Sequence, residues 1–474
     1  MECVTIPYND TLKEKTLKYI KAAKNPIIIV KYARQISQNT KNSLEAHRYY
    51  DILINMHEGK IDNIKELSEI NLLNILQYAG KHTEYYKNLF QRIHYDPNSL
   101  EGFETIPLLD KPIIRKNYNS LVSDELMKLN YYKMNTGGST GEPLEFFVSS
   151  FAGSIDTVHQ EFVFKKFMQY QKGDRIVAFC GSSVPKRDLD NHIYWIETSK
   201  NDIPYGRLAY SSLYLKPETI NYYLSHILDT QPVILRGYPS FLSSIAEYIL
   251  QKNISIPFNI KGIQLTAENA YLWQIENIKK AFNARIFFQY GHSEVCVYGY
   301  TYNEKYEYYC SPFYGYTEIL DLKGKHVIPG EVGEVVVTGF YNYAMPFIRY
   351  RTGDMAVYAG NKDGIVHLAK ISGRTQDYII TKNGDKVATT ALIFGQHLHA
   401  FKNIQKWQLE QNLPGKVNVK IIKGFEYSSN DEFEIQKIFR DVCDIDTEFE
   451  YVGNIPLTPR GKFKFFIQNI DLSK

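Results

Sequence analysis

The stretch TGGSTGE at 136–142 sets three glycines among three hydroxyl side chains, just ahead of Pro143 and the apolar run LEFFV. Without Cβ atoms, Gly137, Gly138 and Gly141 let backbone N–H groups approach an anion closely. Thr136, Ser139 and Thr140 add hydroxyl donors, so the stretch suits the β- and γ-phosphates of a nucleotide. It is not a Walker loop: Glu142 stands where that pattern needs Lys, and the next residues read as strand, not helix. A tight Gly/Ser-rich turn is the alternative. Further on, Glu294 in YGHSE is a carboxylate suited to Mg²⁺, a hard cation that takes one or two carboxylates alongside phosphate oxygens. His292 beside it is either a general base or a pocket-lining histidine that does not titrate. Asp354 ends YRTGD beside a glycine, a place also common for plain turn residues. Near the end, PLTPRGKFKFF holds Lys462, with Lys464 its rival two residues on, pointing the same way by strand alternation.

These residues need a frame. Residues 1–120 read as mainly helical, with apolar positions at helical spacing in NLLNILQYAGKHTEYYKNLF (71–90). Buried strands are expected at 175–181, 232–238, 260–266 and 284–291, with helical patterns at 151–169, 216–229, 239–251 and 271–283 around them. That alternation predicts an α/β fold with a partly parallel sheet flanked by helices. YGHSE and TAEN (266–269) then fall at the C-terminal ends of strands, where open α/β sheets bind ligands. After 291, short β-type runs broken by Gly and Pro predict a mostly antiparallel section. Past SGR (372–374) a strand pair, the helix-like DEFEIQKIFRDV and a final strand near 447–452 suggest a small α+β unit. The expected division is a large N-terminal α/β domain with mixed sheets at 1–373 and a small mobile C-terminal α+β domain at 374–474.

Composition narrows the class. The chain has 474 residues, 44% hydrophobic and 23% charged, with a net charge of +3. Such values exclude disordered, collagen and coiled-coil classes, and the excess charge is too small to predict a nucleic-acid or membrane partner. The five cysteines form no CxxC pair, which argues against a disulfide framework and a zinc ribbon. Cys296 and Cys310, with His292 and His326 nearest in sequence, make a poor four-ligand zinc set. MECVTIPYND lacks a signal pattern, and no apolar run approaches the roughly 18 residues of a membrane span; a cytoplasmic protein is expected.

Taken in order, TGGSTGEP, TAEN, YGHSE, YRTGD, SGRTQD (372–377) and PLTPRGK (456–462) resemble the AMP-forming adenylate ligase superfamily. Within it the chain is similar to the phenylacetate–CoA ligase and CapK-like branch, the latter associated with capsular polysaccharide loci. The resemblance implies an N-terminal adenylation domain and activation of a small carboxylic acid by ATP and Mg²⁺. The acyl group would then pass to CoA, or directly to an amine or hydroxyl of a sugar or other small acceptor. A catalytically inactive nucleotide-binding module is the remaining alternative.

By the same resemblance, Asp354 and Arg374 contact the ribose, and Ala267, Glu268 and Asn269 face the adenine. Tyr290 covers its other face, Gly291 and His292 line the site, Ser293 meets the α-phosphate and Glu294 holds Mg²⁺. Lys462 is the catalytic residue, reaching the carboxylate and α-phosphate, and Gly384 lies where relatives line a thiol tunnel. Two departures stand out. Relatives commonly carry Thr where Ser293 stands, and often Asp or Lys where Gln376 follows Arg374 at the hinge. For the acid itself, Tyr238 and Phe288 are candidate pocket walls. Arg236 either pairs with a carboxylate or bridges two loops.

Overall fold

The computed structural model describes residues 45–136, 144–171, 173–197, 208–303, 305–321, 323–374, 378–388, 400, 403–458 and 461–470. Its N-terminal part is helical, at residues 45–57, Ile64–His82 and Glu84–Ile93. Thr83 joins the last two: its hydroxyl donates to Ala79 O at 2.8 Å and accepts from Tyr86 N, which satisfies one orphaned donor of the new helix. Tyr131–Asn135 and Glu145–Ser149 pair antiparallel, so TGGSTGEP connects the two strands of a hairpin.

A 12-stranded sheet forms the body. Its parallel half consists of β1 (Ile176–Cys180), β2 (Leu208–Ser211), β3 (Ile234–Gly237), β4 (Gly262–Thr266) and β5 (Ile286–Gly291). The neighbouring helices are α1 (Ser150–Met168), α2 (Ile220–Thr230), α3 (Pro239–Gln251) and α4 (Leu272–Phe282). The strands after β5 continue the sheet in antiparallel pairs, through Tyr298–Tyr300 and Tyr308–Cys310 to Tyr350–Lys362 and beyond. Side-chain alternation gives the parallel half two faces. Phe179, Leu235, Leu265 and Phe288 pack with Ile245, Ile249 and Ile278 of α3 and α4. Ile176, Ile234 and Phe287 turn to the other side and join Phe162 and Met168 of α1. Gly237 allows β1 and β3 to close up, since a Cβ there would lie 2.4 Å from Phe179 O.

The C-terminal residues carry a core of their own, with Trp407, Leu409, Val419, Ile421, Phe439 and Phe466 buried together. Four strands (Asp446–Tyr451, Lys416–Lys423, Ile404–Leu413 and Phe466–Gln468) pair there in that order. The helix Ser429–Cys443 packs beside them, started by a capping box of Ser428 and Asp431. The strand near 447–452 is therefore not the last one. Phe466–Gln468 comes after it and pairs parallel to Ile404–Leu413. Lys462 and Lys464 precede that strand on irregular chain, so strand alternation does not relate them. Among the described residues, no helix is long and apolar enough to cross a membrane.

Candidate active site

β5 leads into YGHSE, and the strand Tyr350–Lys362 begins with YRTGD. The structure ties these segments together by two tyrosines. Tyr350 is fully buried and donates to Glu294 Oε1 at 2.7 Å. Tyr290 donates to Asp354 Oδ2 at 3.0 Å. Thr352 helps from within YRTGD: its hydroxyl accepts from Asp354 N at 3.0 Å and donates to Val335 O. Gly353 takes φ +74°, a conformation glycine adopts at little cost, and this turns the chain so that Asp354 meets Tyr290.

Glu294 is almost wholly buried, which favours the neutral acid. The imidazole of His292, the Tyr350 hydroxyl and the charge of Lys111 together overcome that effect and bring its carboxyl down to about 2. His292 Nδ1 lies 3.2 Å from Glu294 Oε2, yet neither ring nitrogen makes a well-aligned hydrogen bond among the described residues. An ionised carboxylate with lone pairs to spare has the charge and the hard oxygen donors that Mg²⁺ requires.

A second cluster lies at the C-terminal ends of β3 and β4, where the chain just before the small unit's strand Phe466–Gln468 meets the body. Glu268 Oε1 accepts from Phe463 N at 2.7 Å, and its Oε2 accepts from Ser240 N at 3.2 Å. Burial raises the Glu268 carboxyl above its ordinary range. The bonds from Ser240 and Phe463 and the charge of Lys462 oppose that rise. Ser212 Oγ donates to Gly461 O at 2.7 Å. Gly461 has φ +68°, and a Cβ there would lie 2.1 Å from Ser212 Oγ, so the approach depends on glycine. Lys462 Nζ then stands 5.7 Å from the centre of the Tyr238 ring, within reach of its negative face. Thr266 and Gln289 link the two clusters across the strand ends, hydroxyl to amide oxygen at 2.5 Å.

The residues expected from sequence fall into distinct groups. Gly137, Gly138, Ser139, Thr140 and Gly141 lie outside the described residues, as does Gln376. Thr136 is buried and closes the base of the hairpin: its N–H donates to Leu144 O, and its Oγ1 accepts from Leu144 N. Ala267 and Asn269 are exposed beside Glu268, and Ala267 takes φ +68° at the end of β4. A non-glycine residue in that region costs on the order of 1 kcal/mol or more, a strain typical of ligand-binding turns. Gly291 and Ser293 are partly open next to Glu294. Arg374 pairs through its main chain with Asp354. Tyr290 is 8% exposed and packs in the core, with its hydroxyl committed to Asp354.

Arg236 and Phe288 are not brought together: Arg236 shares a face with Gln264, whereas Phe288 sits in the core under α3 and α4. Tyr238 is buried at the start of α3, beneath Lys462. Sequence reasoning missed Tyr350 as the anchor of Glu294. The one available signal was its place at the head of YRTGD.

Sheet order, the separate C-terminal core and the site at the parallel strands' C-terminal ends define the fold of the adenylate-forming ligases. It is shared with 2-hydroxyisobutyryl-CoA ligase in its postadenylation state, at a TM-score of 0.65 and 16% identity over 85% of this chain and 89% of that one. The GH3.15 acyl acid amido synthetase has it too, at a TM-score of 0.57 and 14% identity over 85% of this chain and 88% of its own. In sequence, the chain is a homologue of Protein CapK of Staphylococcus aureus, 27% identical over 439 residues that cover 86% of this chain and 92% of that protein. Phenylacetate-coenzyme A ligase of Pseudomonas putida is 24% identical over 69% of this chain and 74% of its own. Residues 379–469 match the family described as the CapK C-terminal domain.

Proposed function

We propose that this chain activates a carboxylic acid by transferring AMP to it from ATP. The products are an acyl-adenylate and pyrophosphate, and the acyl group then passes to CoA. A carboxylate resists nucleophiles, and oxide is a poor leaving group; AMP is a good one. The work is mostly positioning and neutralisation of charge, which fits a site with Lys462, Asp354 and Glu294 but no evident nucleophile. The single observation that carries the reading is the placement of Lys462 by Gly461 and Phe463 against the strand ends that also present Glu268, Tyr290 and Glu294. Lys462 offsets the negative charge that develops on the α-phosphate, and Asp354 accepts the ribose hydroxyls. Ala267 to Asn269 border the base, and residues 136–141 hold the outer phosphates. Glu294 is the residue that would hold Mg²⁺, whose charge offsets that of the phosphates when bound. In this reading the small unit from residue 374 onward turns between the two half-reactions.

A second reading, direct acylation of an amine or hydroxyl on a sugar or other small acceptor, is favoured by the likeness to an acyl acid amido synthetase. One assay separates the outcomes: pyrophosphate release from ATP and Mg²⁺ with aryl, fatty, hydroxy and amino acids, with and without CoA. Release for one acid class, followed by a CoA-dependent thioester, supports the first reading. Release followed by an amide or ester without CoA supports the second. Binding of ATP with no release for any acid sinks both.

A further inference from the structure

The adenylation chemistry above does not use a cavity of about 360 Å³ that opens beside the antiparallel half of the sheet. Three elements wall most of it: the first turns of the helix Ile64–His82, the strand Gly315–Leu320, and the hairpin joining Tyr350–Lys362 to Ile365–Arg374. Gly364, at φ +87° in that hairpin, lets two of these walls close up, since a Cβ there would lie 2.9 Å from Lys65 Cα. The cavity is separate from the reaction centre. It meets the strand Tyr350–Lys362 at Asn361, seven residues beyond Asp354, or roughly 20 Å of extended chain. Its volume lies at the small end of the roughly 300–1,000 Å³ of small-molecule sites.

Floor and mouth differ in charge. At the floor Cys310 and Thr317 are buried and face each other, thiol to hydroxyl. Burial pushes that thiol up to about 12, so it stays neutral and the floor carries no charge. Ser68 on the helix wall is 4% exposed, and its hydroxyl makes no hydrogen bond among the described residues. A buried polar group left so carries a cost that a bound ligand can remove. At the mouth Lys65, Asn361 and Asp363 are exposed and Glu69 is half-buried. Lys65 Nζ lies 3.7 Å from Glu69 Oε1, whereas the Asp363 carboxylate has no cation or donor among the described residues. Asn361 Oδ1 accepts from Gly364 N at 3.0 Å, which turns its NH₂ to other partners.

We propose that this cavity binds a small polyhydroxylated amine, with hydroxyls toward Ser68 and Asn361 and the ammonium at the mouth beside Asp363. An ion at the neutral floor would be desolvated without a counter-charge, so the charged end of the ligand stays outside. A hydroxyl both donates and accepts, which answers the Ser68 hydroxyl, and it accepts from the Asn361 NH₂. At the mouth two carboxylates, Glu69 and Asp363, stand against the single charge of Lys65. That balance favours a cation over an anion.

The test is calorimetric titration of the full chain, without ATP, with four probes of one chain length: glucamine, sorbitol, gluconate and hexylamine. Glucamine should bind about tenfold or more tightly than the other three, the worth of one hydrogen bond to a charged group. Asp363→Asn should remove its advantage over sorbitol. Asn tolerates the φ of +55° that Asp363 takes in its turn, so this variant keeps the fold. Ser68→Ala should weaken glucamine and sorbitol alike by about fivefold and leave hexylamine unchanged. Should that buried change prevent folding, Asp363→Asn on the exposed turn decides alone. Binding of no probe would leave the cavity to water and overturn the proposal. Tighter binding of gluconate or hexylamine would do the same, as would glucamine binding that either folded variant leaves unchanged. None of these outcomes bears on the ligase reading, since no step of adenylation is measured.

Discussion

The two ends of the candidate site are built differently. At the Asp354–Glu294 end, buried Tyr350 and Tyr290, both on strands of the sheet, clamp the two carboxylates, and Thr352 fixes the backbone between them. At the Lys462–Glu268 end, the contacts cross from the C-terminal unit, which has its own core, to the strand ends of the body. The crossing hydrogen bonds at Gly461 and Phe463 each contribute about 1 kcal/mol net. The first end is thus fixed by the same packing that stabilises the fold. The second is held by contacts between two separately packed cores. On the ligase reading proposed above, that division suits two half-reactions, with the proposed nucleotide-binding groups serving throughout and Lys462 serving in adenylation only.

The sharpest way to break this contrast is Lys462→Ala. Adenylation should fall by about 10²–10³-fold, or about 2.7–4 kcal/mol of transition-state stabilisation, with ATP binding and thermal stability unchanged. Pyrophosphate release beside an ATP-binding isotherm checks both, and near-normal turnover would remove Lys462 from the mechanism. Acid should act on the body instead. Burial brings His159 down to about 4, and burial plus the nearby Lys166 does the same to His57; both lie in the large unit. Below the ordinary imidazole value near 6.5, the unfolded chain takes up protons that the folded one refuses, so stability is intact above that value and is lost as pH falls toward 4. At pH 5 the loss for the fully buried His159 is roughly 2 kcal/mol. Urea unfolding of the wild type at pH 7 and pH 5, repeated with His159→Gln, reads that difference; a pH-independent midpoint would refute it.

Smaller effects sharpen the comparison. Tyr350→Phe takes one donor from an ionised, buried carboxylate and should cost about 1.5 kcal/mol of stability. The Mg²⁺ concentration needed for half-maximal pyrophosphate release should shift with it, and Lys462→Ala should leave the stability term alone. Glu268→Gln replaces an acceptor-only group that receives both Phe463 N–H and Ser240 N–H. It should weaken the junction by about 1 kcal/mol, seen as slower adenylation at an unchanged unfolding midpoint. A lowered midpoint would mean that the junction supports the body after all.

The parallel strands and their helices were legible because each is a short apolar run or a helical period bounded by Gly, Pro or polar residues; 175–181 and 284–291 fall on β1 and β5 within two residues at each end. Phe466–Gln468 was not legible. Three residues beyond a Pro- and Gly-containing turn carry too little pattern, and the strand exists because Ile404–Leu413 offers it a partner edge. Phe288 was misread as a wall beside Arg236 for a related reason: both are near strand ends, but a shift of one register row sends them to opposite faces.

The sequence by itself determined which chemistry-bearing residues exist and at which strand ends they fall, because strand period, turn glycines and motif order are local. Which of them meet was decided by the tertiary structure alone. Tyr350 reaches Glu294 across 56 positions, and Phe463 reaches Glu268 across 195. Tyr314 reaches Asp156 across 158 positions, from a loop to a helix. Contacts so distant along the chain leave no periodic trace in it; they arise where sheet register and helix packing bring two faces together.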